Sequence, residues 1–515
     1  MEEDYLNYFK RLFAKSFLCN VVLLLFTLRE AYDMSVVENL KPKLLWKHFE
    51  EICKIPHCSK HEEKIREYIL DFTKKQGLDF KSDKFGNIAI SKPATSGMED
   101  KPIVILQGHM DMVCEKNSDV DFDFFKDSIK MKVDGDILSA DGTTLGADNG
   151  IGVATALAIL EDKTAKHGHI EALFTVDEET GLTGAFALSP DMLKGKILLN
   201  LDSEDWGVVT VGCAGGGDSK VEFPITIQDI NNEFDTYSIK ISGLRGGHSG
   251  VDAHEQRGNA IKIITRMLWK ASKDYDFQIS DIKGGDKHNA IPRESYATIS
   301  ISPSDKDKFI SYLKTEKQDI LEEIKPIDPK LTLEFEDGVK QTTSLTMDSQ
   351  NTLLNLLHGL PHGVDKMSYD IPELVETSTN LATVAVKGSS VQIGLSSRSS
   401  IASALQDFRD RIRATAEITG AKVTEETPYP GWKPNLKSNI LNLAKKTYKD
   451  IYGKEPTVEA IHAGLECGII GEKLPGMDMI SIGPTIKYPH SPEEHVVIST
   501  VEKFYDYVLK ILENV

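Results

Sequence analysis

Three short apolar runs in the first half of the chain each end in polar residues. They cover residues 101–107, 170–176 and 196–201, lengths that suit buried strands better than helices. Residues 153–160 combine alanines with spaced aliphatic residues and predict a helix between the first two strands. Because strands and helical stretches alternate from residue 41 to about 212, we predict an α/β fold with a mainly parallel sheet and helices on both faces.

Histidine and aspartate follow the first run. His109 and Asp111 lie two residues apart, so on an extended chain their side chains share a face. A histidine that binds a metal usually needs a carboxylate on its other ring nitrogen. We interpret His109 as a ligand and Asp111 as the residue that orients it, although a lone His-x-Asp sequence is also typical of a surface loop.

Asp148 stands at the start of the predicted helix. An aspartate there ordinarily caps the helix. Four glycines surround it, namely Gly142, Gly146, Gly150 and Gly152, which is more than a cap requires. Since glycine lets the backbone take tight conformations near an ion, Asp148 is a second candidate ligand.

Carboxylates also follow the other two runs. Asp177, Glu178 and Glu179 are adjacent and follow the run at residues 170–176, and Asp202 follows the run at residues 196–201. Adjacent like charges repel unless a cation or water compensates them. If the segment is extended, Glu178 and Glu179 point to opposite sides, which suits one ligand and one proton carrier. Histidines and carboxylates together are the ligands of zinc and similar divalent ions, placed where open α/β sheets bind ligands.

Five such segments, taken in chain order, resemble the aminoacyl-histidine dipeptidases. The segments are residues 107–111, 146–150, 177–181, 201–204 and 489–492. This family, also called Xaa-His or cytosolic nonspecific dipeptidases, belongs to a larger group of co-catalytic zinc exopeptidases and deacylases. The resemblance extends from about Ser35 to the C-terminus, and its order of motifs is far more specific than any single motif.

The resemblance implies a role for each residue. One metal would be bound by His109 and Asp202, the other by Glu179 and His490, with Asp148 bridging the two. Glu178 would be the general base, and Asp111 would orient His109. The implied enzyme is a metallopeptidase that hydrolyses Xaa-His and other unblocked dipeptides with a metal-bridging hydroxide. Zinc is the expected metal, and manganese and cobalt also suit these ligands.

A lid domain inserted in the catalytic domain is also implied by the resemblance. Its His248 would stabilise the oxyanion, Asn289 would help hold the substrate and Arg398 would bind the substrate carboxylate. The guanidinium fork of arginine matches a carboxylate well. The alternative for Arg398 is a surface arginine on a serine-rich loop.

His462 competes with His490 for the place of the last ligand. It lies in the glycine-punctuated stretch 460–468, which also contains Glu466. The resemblance favours His490 and places His462 and Glu466 beside the substrate. His57, His61 and His167 lack such a context, and we predict that they lie at the surface.

Domain boundaries follow from the same comparison of motifs. We predict an N-terminal extension at residues 1–33, catalytic segments at 34–213 and 429–515, and an α+β lid at 214–428. The apolar run at residues 17–26 within the extension follows Lys10, Arg11 and Lys15. It is short for a membrane span and lacks a convincing cleavage site. A mis-assigned start with Met34 as the true one, a signal or anchor, and a packed helix all remain open.

Composition limits the classes of binding partner and the cellular compartment that we expect for this protein. The net charge of −19 provides no basic excess for phosphates, which argues against nucleic-acid binding. The six cysteines are scattered without CxxC pairs, so we expect no disulfide framework and a cytoplasmic location. We expect Cys114 in particular to be a packing residue. A small peptide is the expected partner, a membrane is not, and the resemblance implies a homodimer.

Two alternatives to the dipeptidase hypothesis remain open. The first is another exopeptidase or an N-acyl amino acid deacylase with the same core chemistry. The second is a non-catalytic, metal-dependent binding protein on this scaffold. An intact Glu178 disfavours the second alternative, because a binding module does not need a general base.

Overall fold

The computed structural model describes residues 35–515, and these form two compact units. The first contains the described residues up to Gly207 together with Lys446–Glu455 and Ser481–Val515. The second contains Val208–Lys445 and Pro456–Ile480. The predicted domain boundaries stay predictions. The predicted extension and its apolar run lie outside the described residues, among which no helix is long and apolar enough to cross a membrane.

Five neighbouring strands of an eight-stranded mixed sheet form the centre of the first unit. These strands, in spatial order, are Asp79–Ser82, Ile88–Lys92, Ile170–Thr175, Val104–His109 and Ile197–Asn200. The last three run parallel to one another, and the first two are antiparallel additions at one edge. Every residue of the strands Val104–His109 and Ile170–Thr175 is buried, as the continuous apolar runs predict for central parallel strands.

Helices cover this sheet, and the apolar sequence of one of them explains its position. The predicted helix is observed as Ala147–Glu161, and nearly all of its residues are buried. A helix that is apolar all round belongs in a protein interior. At Gly150 it approaches the helix Lys43–Cys53 so closely that a Cβ would lie 3.0 Å from the Phe49 ring. The other helices of this unit are Glu63–Gln76, Glu178–Gly181, Thr183–Ala187 and Ile498–Asn514, with a short 3₁₀ turn at Pro190–Met192.

A small antiparallel sheet in the first unit includes the end of the chain. Its strands, in order, are Ile486–Lys487, His495–Val497, Ile137–Ala140 and Met131–Asp134. The connection between the first two of these strands, residues 488–494, carries His490. Pairing of His495–Val497 with Ile137–Ala140 therefore brings a C-terminal segment beside the segment that precedes Asp148.

The second unit is built on a nine-stranded antiparallel sheet. Eight strands follow the order Thr332–Asp337, Asp235–Ser242, Ser295–Ile301, Phe277–Gly284, Val375–Lys387, Ser390–Ser399, Gly215–Pro224 and Lys422–Glu425, and Gly363–Met367 pairs with Val375–Lys387. Shorter pairs are Ile227–Asp229 with Thr343–Leu345 and Val208–Cys213 with Thr457–Ile461, the latter parallel.

Helices bury an apolar face against the nine-stranded sheet. Ile261, Ile264 and Leu268 of the helix Ala260–Ala271 lie in one core with strand residues such as Ile239 and Ile299. The remaining helices of this unit are Lys306–Ile324, Met347–Gly359, Ala402–Glu417 and Glu466–Lys473, with a 3₁₀ turn at Ala253–Glu255. The helix Asn439–Tyr452 and the strand Asp478–Ser481 each include a boundary between the units. Strands and helices in both units confirm the α/β assignment with an additional α+β part.

Two of the histidines assigned to the surface are buried. His57 has 3% of its surface exposed and His167 has none, so this prediction was wrong for both, whereas His61 is exposed. His57 lies beside the loop that follows His109 and Asp111, because its carbonyl accepts the backbone N–H of Met112 at 3.1 Å. Single residues without a periodic context give no signal of such long-range packing.

The role predicted for one cysteine also needs correction. Cys58 and Cys114 form a disulfide, whereas Cys53, Cys213 and Cys467 are free and buried. The expectation that Cys114 is only a packing residue was wrong. The disulfide joins the segment after His57 to the segment after Asp111, which also meet through a bridge between Cys58 and Met112. The two cysteines are 56 positions apart, so no local spacing could reveal the pair.

We expect the double substitution Cys58→Ser with Cys114→Ser to lower the free energy of unfolding by about 4 kcal/mol, the chain-entropy value for a loop of this length. Chemical denaturation with and without a reductant measures the difference. Reductant should destabilise the wild-type protein and leave the double variant unchanged. Equal destabilisation of both proteins by the reductant would exclude the disulfide as its cause.

Candidate active site

The ends of three parallel strands meet at one edge of the sheet in the first unit. His109 pairs in register with Thr175, and Gln107 pairs with Asn200. The carboxyl ends of adjacent parallel strands are the usual place for a site in open α/β sheets. The segments that follow these strands carry Glu178, Glu179 and Asp202, and the sheet therefore gathers residues that lie almost a hundred positions apart.

Asp148 lies between two imidazoles. Its Oδ1 is 3.2 Å from His109 Nε2, and its Oδ2 is 3.4 Å from His490 Nε2. Each histidine also faces a carboxylate of its own: His109 Nε2 is 3.3 Å from Asp202 Oδ1, and His490 Nε2 is 2.9 Å from Glu179 Oε2. The structure thus forms two groups that share Asp148.

Both groups have the composition and spacing of divalent-metal sites. The ligand atoms of His109, Asp148 and Asp202 lie within 4.8 Å of one another, as do those of Asp148, Glu179 and His490. His109 forms a third such group with Glu178 and Glu179. The buried Oε1 of Glu179 accepts no hydrogen bond from the described residues. Buried acceptors without donors are costly unless a cation is bound, so the donor set fits a pair of metal ions.

The charges of the site also favour cations. Burial raises the pKa of Asp202 to about 8, with a further contribution from Asp148 after the opposing attraction of His109. Burial opposes protonation of His490, but its contacts with Asp148 and Glu179 raise its pKa to about 11. In both cases the site binds a proton that a divalent cation would replace, and metal binding at such a site releases protons.

Asp111 contacts more than one part of the site. Its carboxylate oxygens accept the backbone N–H groups of Glu178, at 3.0 Å, and Glu179, at 3.2 Å. His109 Nδ1 lies 2.9 Å from the carbonyl oxygen of Asp111 and 3.4 Å from its Oδ1. Asp111 therefore orients the imidazole largely through its backbone, while its carboxylate positions the segment of Glu178 and Glu179.

Glu178 and Glu179 lie on a turn of helix, Glu178–Gly181. The expectation that these two residues stand on an extended segment and point to opposite sides was wrong, because a carboxylate oxygen of each lies within 4.8 Å of the other and of a His109 ring nitrogen. The turn begins at Asp177, whose φ of 51° is left-handed. The hydroxyls of Thr180 and Thr183 donate to the Asp177 carboxylate, which stabilises this conformation.

Close packing of glycines explains their abundance around Asp148. Asn149, next to Asp148, donates from Nδ2 to the carbonyl of Leu201 at 2.8 Å and so ties the start of the helix to the loop of Asp202. A Cβ at Gly108 would lie 2.2 Å from Asn149 Oδ1, and one at Gly152 would lie 2.3 Å from it. Only glycine leaves room for the amide at these two positions.

His462 lies in the second unit. Its Nε2 is 2.7 Å from Ser378 Oγ, and burial, with Arg398 and His248, lowers its pKa to about 3. His490, in contrast, contacts two carboxylates in the first unit. Of the two competing histidines, His490 has the surroundings of a metal ligand.

A cluster of polar residues in the second unit surrounds Arg398. On the sheet Arg398 pairs with Ser378 on one side and Gly216 on the other, and it is buried with 7% exposed. Its Nη1 donates to the Tyr429 hydroxyl at 2.9 Å. A Cβ at Gly250 would lie 3.0 Å from Arg398 Nε, which places the glycine-rich loop of His248 directly beside the guanidinium.

Two backbone amides set the proton position of His248. The N–H groups of Gly250 and Val251 point to His248 Nδ1 at 3.3 and 3.0 Å, so Nδ1 accepts and the proton of the neutral ring is on Nε2. Burial, followed by the charge of Arg398, lowers the pKa of His248 to about 4. His248 is therefore a neutral hydrogen-bond donor at neutral pH.

Asn289 and Glu466 complete the set of residues predicted from the sequence. The carbonyl of Asn289 accepts the N–H of Ser249 at 2.8 Å, which fixes its loop to that of His248, while its side chain is exposed. Glu466 is fully buried at the start of the helix Glu466–Lys473. The structure therefore brings Asn289 to the His248 loop. Glu466 follows His462 by four residues in the sequence.

Comparison with known proteins adds to this geometry. Residues 105–514 match peptidase family M20/M25/M40. The chain belongs to this family. It is 40% identical over 482 residues to the cytosol non-specific dipeptidase of Escherichia coli (strain K12), covering 94% of this chain and 99% of that protein.

Solved structures resemble the M20 peptidase over nearly its whole length. The aminoacylhistidine dipeptidase of Vibrio alginolyticus has a TM-score of 0.86 at 43% identity, covering 93% of this chain and 98% of that one. The aminopeptidase PepT of Bacillus cereus has a TM-score of 0.52 at 18% identity, covering 92% and 98%, a likeness that concerns the fold alone. The chain is thus a metallopeptidase-type α/β protein with the family's fold.

Several residues that the sequence analysis missed support the site of this M20 peptidase. Ser378 and Tyr429 contact His462 and Arg398, and Glu494 accepts backbone N–H groups of the Asp148 loop. Glu204 lies two residues after Asp202, and burial, with repulsion from Asp148 and Asp202, raises its pKa to about 8. Glu204 lies within the recognised segment 201–204 and Glu494 two residues after the segment 489–492, although neither was given a role; Ser378 and Tyr429 had no local signal.

Buried His462 makes the stability of the peptidase sensitive to acid. An unfolded histidine binds a proton near pH 6.5, whereas folded His462 binds one only near pH 3. Between these values the unfolded state holds more protons, so stability falls as pH falls. We expect His462→Gln to lose less thermal stability than the wild type between pH 7 and pH 4.5. His254→Gln, at an exposed position, is the control, and a wild-type slope in His462→Gln would contradict the assignment.

Proposed function

We propose that the protein is a di-metal dipeptidase that hydrolyses Xaa-His and other unblocked dipeptides. The proposal rests on the position of Asp148 between His109 and His490. Each of these histidines also lies beside a second carboxylate. The names of the E. coli and V. alginolyticus relatives, both dipeptidases at 40% and 43% identity, support the substrate class.

The proposed ligands follow the two groups. His109 and Asp202 would hold one cation, Glu179 and His490 the other, and Asp148 would bridge them. Two divalent cations carry one positive charge more than the three carboxylates neutralise, so the site would remain cationic. Bound there, the cations would polarise the scissile carbonyl and make water more acidic. Zinc is the expected metal, and manganese and cobalt fit the same ligands.

Glu178 is the proposed general base. It shares a helical turn with the ligand Glu179, and Asp111 holds the backbone N–H groups of both residues. Glu178 would take a proton from the attacking water on its carboxylate and return it to the leaving amine. The role requires a carboxylate beside the metals that is not needed as a ligand, and Glu178 meets this requirement because its carboxylate lies within 4.8 Å of the ligand atoms of His109 and Glu179.

The cluster in the second unit is the proposed site for the remaining substrate groups. Arg398 would bind the substrate carboxylate with its guanidinium fork. His248 would donate from Nε2 to the oxyanion, and its neutral state leaves the donor in place across the physiological range. Asn289, His462 and Glu466 would line the substrate, with His462 held by Ser378.

Compartment and assembly are part of the same proposal. A cytoplasmic location is supported by the E. coli relative, which is named for the cytosol. A reducing compartment would keep Cys58 and Cys114 as thiols, so the redox state of this pair in protein isolated under thiol-trapping conditions tests the location. The proposed homodimer is tested by the mass of the protein in solution.

Substrate preference separates the dipeptidase from its alternatives. Metal-stripped protein is assayed with zinc, manganese or cobalt on carnosine, Xaa-His and Ala-Xaa dipeptides, a tripeptide and an N-acetyl amino acid. Metal-restored cleavage of unblocked dipeptides is the expected result. Preference for the acylated substrate would assign a deacylase, and stoichiometric metal binding without hydrolysis would assign a binding protein.

We expect Glu178→Gln and Glu178→Ala to bind the wild-type amount of metal and to lose nearly all turnover. Proton transfer by a positioned side chain contributes roughly 10²–10⁴-fold to rate, and kcat should fall by at least that factor. Metal content by elemental analysis and kcat are measured on the same preparations. Substantial residual hydrolysis with full metal content would remove Glu178 from the base role.

Arg398→Lys is expected to raise KM for dipeptides by roughly 10- to 100-fold, because hydrogen bonds to charged groups contribute about 1.5–3 kcal/mol. The matched control is Tyr429→Phe, which keeps the guanidinium and removes only the hydroxyl that contacts it. KM for a dipeptide amide should change little in Arg398→Lys, since that substrate lacks the carboxylate. An equal rise in KM for the acid and the amide would show that Arg398 does not bind the carboxylate.

A further inference from the structure

Glu494 is a buried carboxylate that the proposed mechanism does not use. It has 1% of its surface exposed and lies four residues after His490. Its Oε2 accepts the backbone N–H groups of Leu145 at 2.7 Å and Gly146 at 3.0 Å. Its Oε1 accepts those of Ala147 at 2.8 Å and Asp148 at 3.3 Å. One side chain therefore holds four successive backbone amides.

These four amides belong to the loop that presents Asp148. They lead into the regular part of the helix Ala147–Glu161, which begins after the non-helical residues Asp148 and Asn149, and N–H groups at the start of a helix have no partner within it. A carboxylate at a helix N-terminus is also favoured by the helix dipole. Glu494 thus holds the amides that lead into the helix, and the Asp148 side chain is left to face the two histidines.

The segment of Glu494 contacts Asp148 in two ways. The His490 ring is 3.4 Å from Asp148 Oδ2, and the Glu494 carboxylate accepts the Asp148 N–H. Within this segment the Ser491 hydroxyl donates to the Tyr488 carbonyl at 2.8 Å, and the Glu494 N–H donates to the Ser491 carbonyl at 3.0 Å. These two hydrogen bonds make residues 488–494 a compact turn, so the same turn contacts both the backbone and the side chain of Asp148.

We propose that Glu494 is a positioning residue of the metal centre, whose carboxylate fixes the Leu145–Asp148 backbone so that Asp148 reaches both metal sites. This inference rests on the proposed function, because it takes Asp148 as the shared ligand. It adds an anion-to-amide contact that acts through Asp148 without touching metal or substrate. Residues that orient metal ligands typically contribute 10- to 100-fold to metal affinity.

Glu494→Gln tests the inference, since it keeps the size of the side chain and turns one acceptor oxygen into an amide donor facing two N–H groups. We expect both metal-binding events to weaken by roughly 10- to 100-fold, because Asp148 belongs to both groups. Calorimetric titration of the metal-free protein with zinc measures the two events separately. Hydrolysis at saturating zinc should recover partly, which a loss of folded protein would not allow.

Glu493→Gln is the matched control, because Glu493 is the exposed neighbour and the substitution changes the net charge equally. Its zinc affinities should equal those of the wild type. Glu494→Asp keeps the charge and withdraws it by one carbon–carbon bond. Its zinc affinities test the inference if Glu494→Gln does not fold. Wild-type zinc affinity in either Glu494 variant would overturn the inference.

The zinc titrations of the wild type and of the Glu494 variants distinguish this inference from the proposed function. Failure of the wild-type protein to bind two zinc ions would contradict the di-metal proposal itself. Two ions bound by the wild type, with unchanged affinity in the Glu494 variants, would contradict only the positioning role. Weakening of one event alone would show that Glu494 does not act through the shared ligand, and would equally overturn the inference.

Discussion

One shared carboxylate, Asp148, organises the first unit. Its two oxygens face two imidazoles from segments almost four hundred positions apart in the chain, His109 and His490. A buried carboxylate is unfavourable unless it is paired, so both histidines must be delivered with precision. The parallel sheet delivers His109, the small antiparallel sheet delivers His490, and the amides of the intervening loop are held by Glu494.

The strand-end part of this arrangement was predictable from sequence because it follows from local patterns. Apolar runs ended in His109 and Asp202, and adjacent parallel strands necessarily place such ends at the same edge. The helix Ala147–Glu161 was predictable from its alanines and aliphatics. The motif at His490 was assigned by resemblance, since no strand pattern of its own marked it.

What could not be predicted depends on backbone groups that meet only in the folded chain. The carboxylate of Asp111 accepts amides at Glu178 and Glu179, and the amides of Gly250 and Val251 determine the tautomer of His248. A sequence shows which side chains can accept hydrogen bonds but not where the donors will be. The Cys58–Cys114 disulfide escaped prediction for the same reason, because its partners come from segments far apart in the chain.

Histidine pKa values are shifted in opposite directions in the two units. In the first, carboxylates outnumber the imidazoles, so His490 is held in its charged form unless a cation takes the place of its proton. In the second, the buried Arg398 guanidinium is surrounded by imidazoles whose pKa values fall, to about 4 for His248 and about 3 for His462. Protonation of either imidazole would bury a second positive charge beside the guanidinium, so burial and the repulsion by Arg398 keep both rings neutral. The burial that lowers the pKa of His248 therefore also keeps its ring neutral, the state that its proposed role as a hydrogen-bond donor requires.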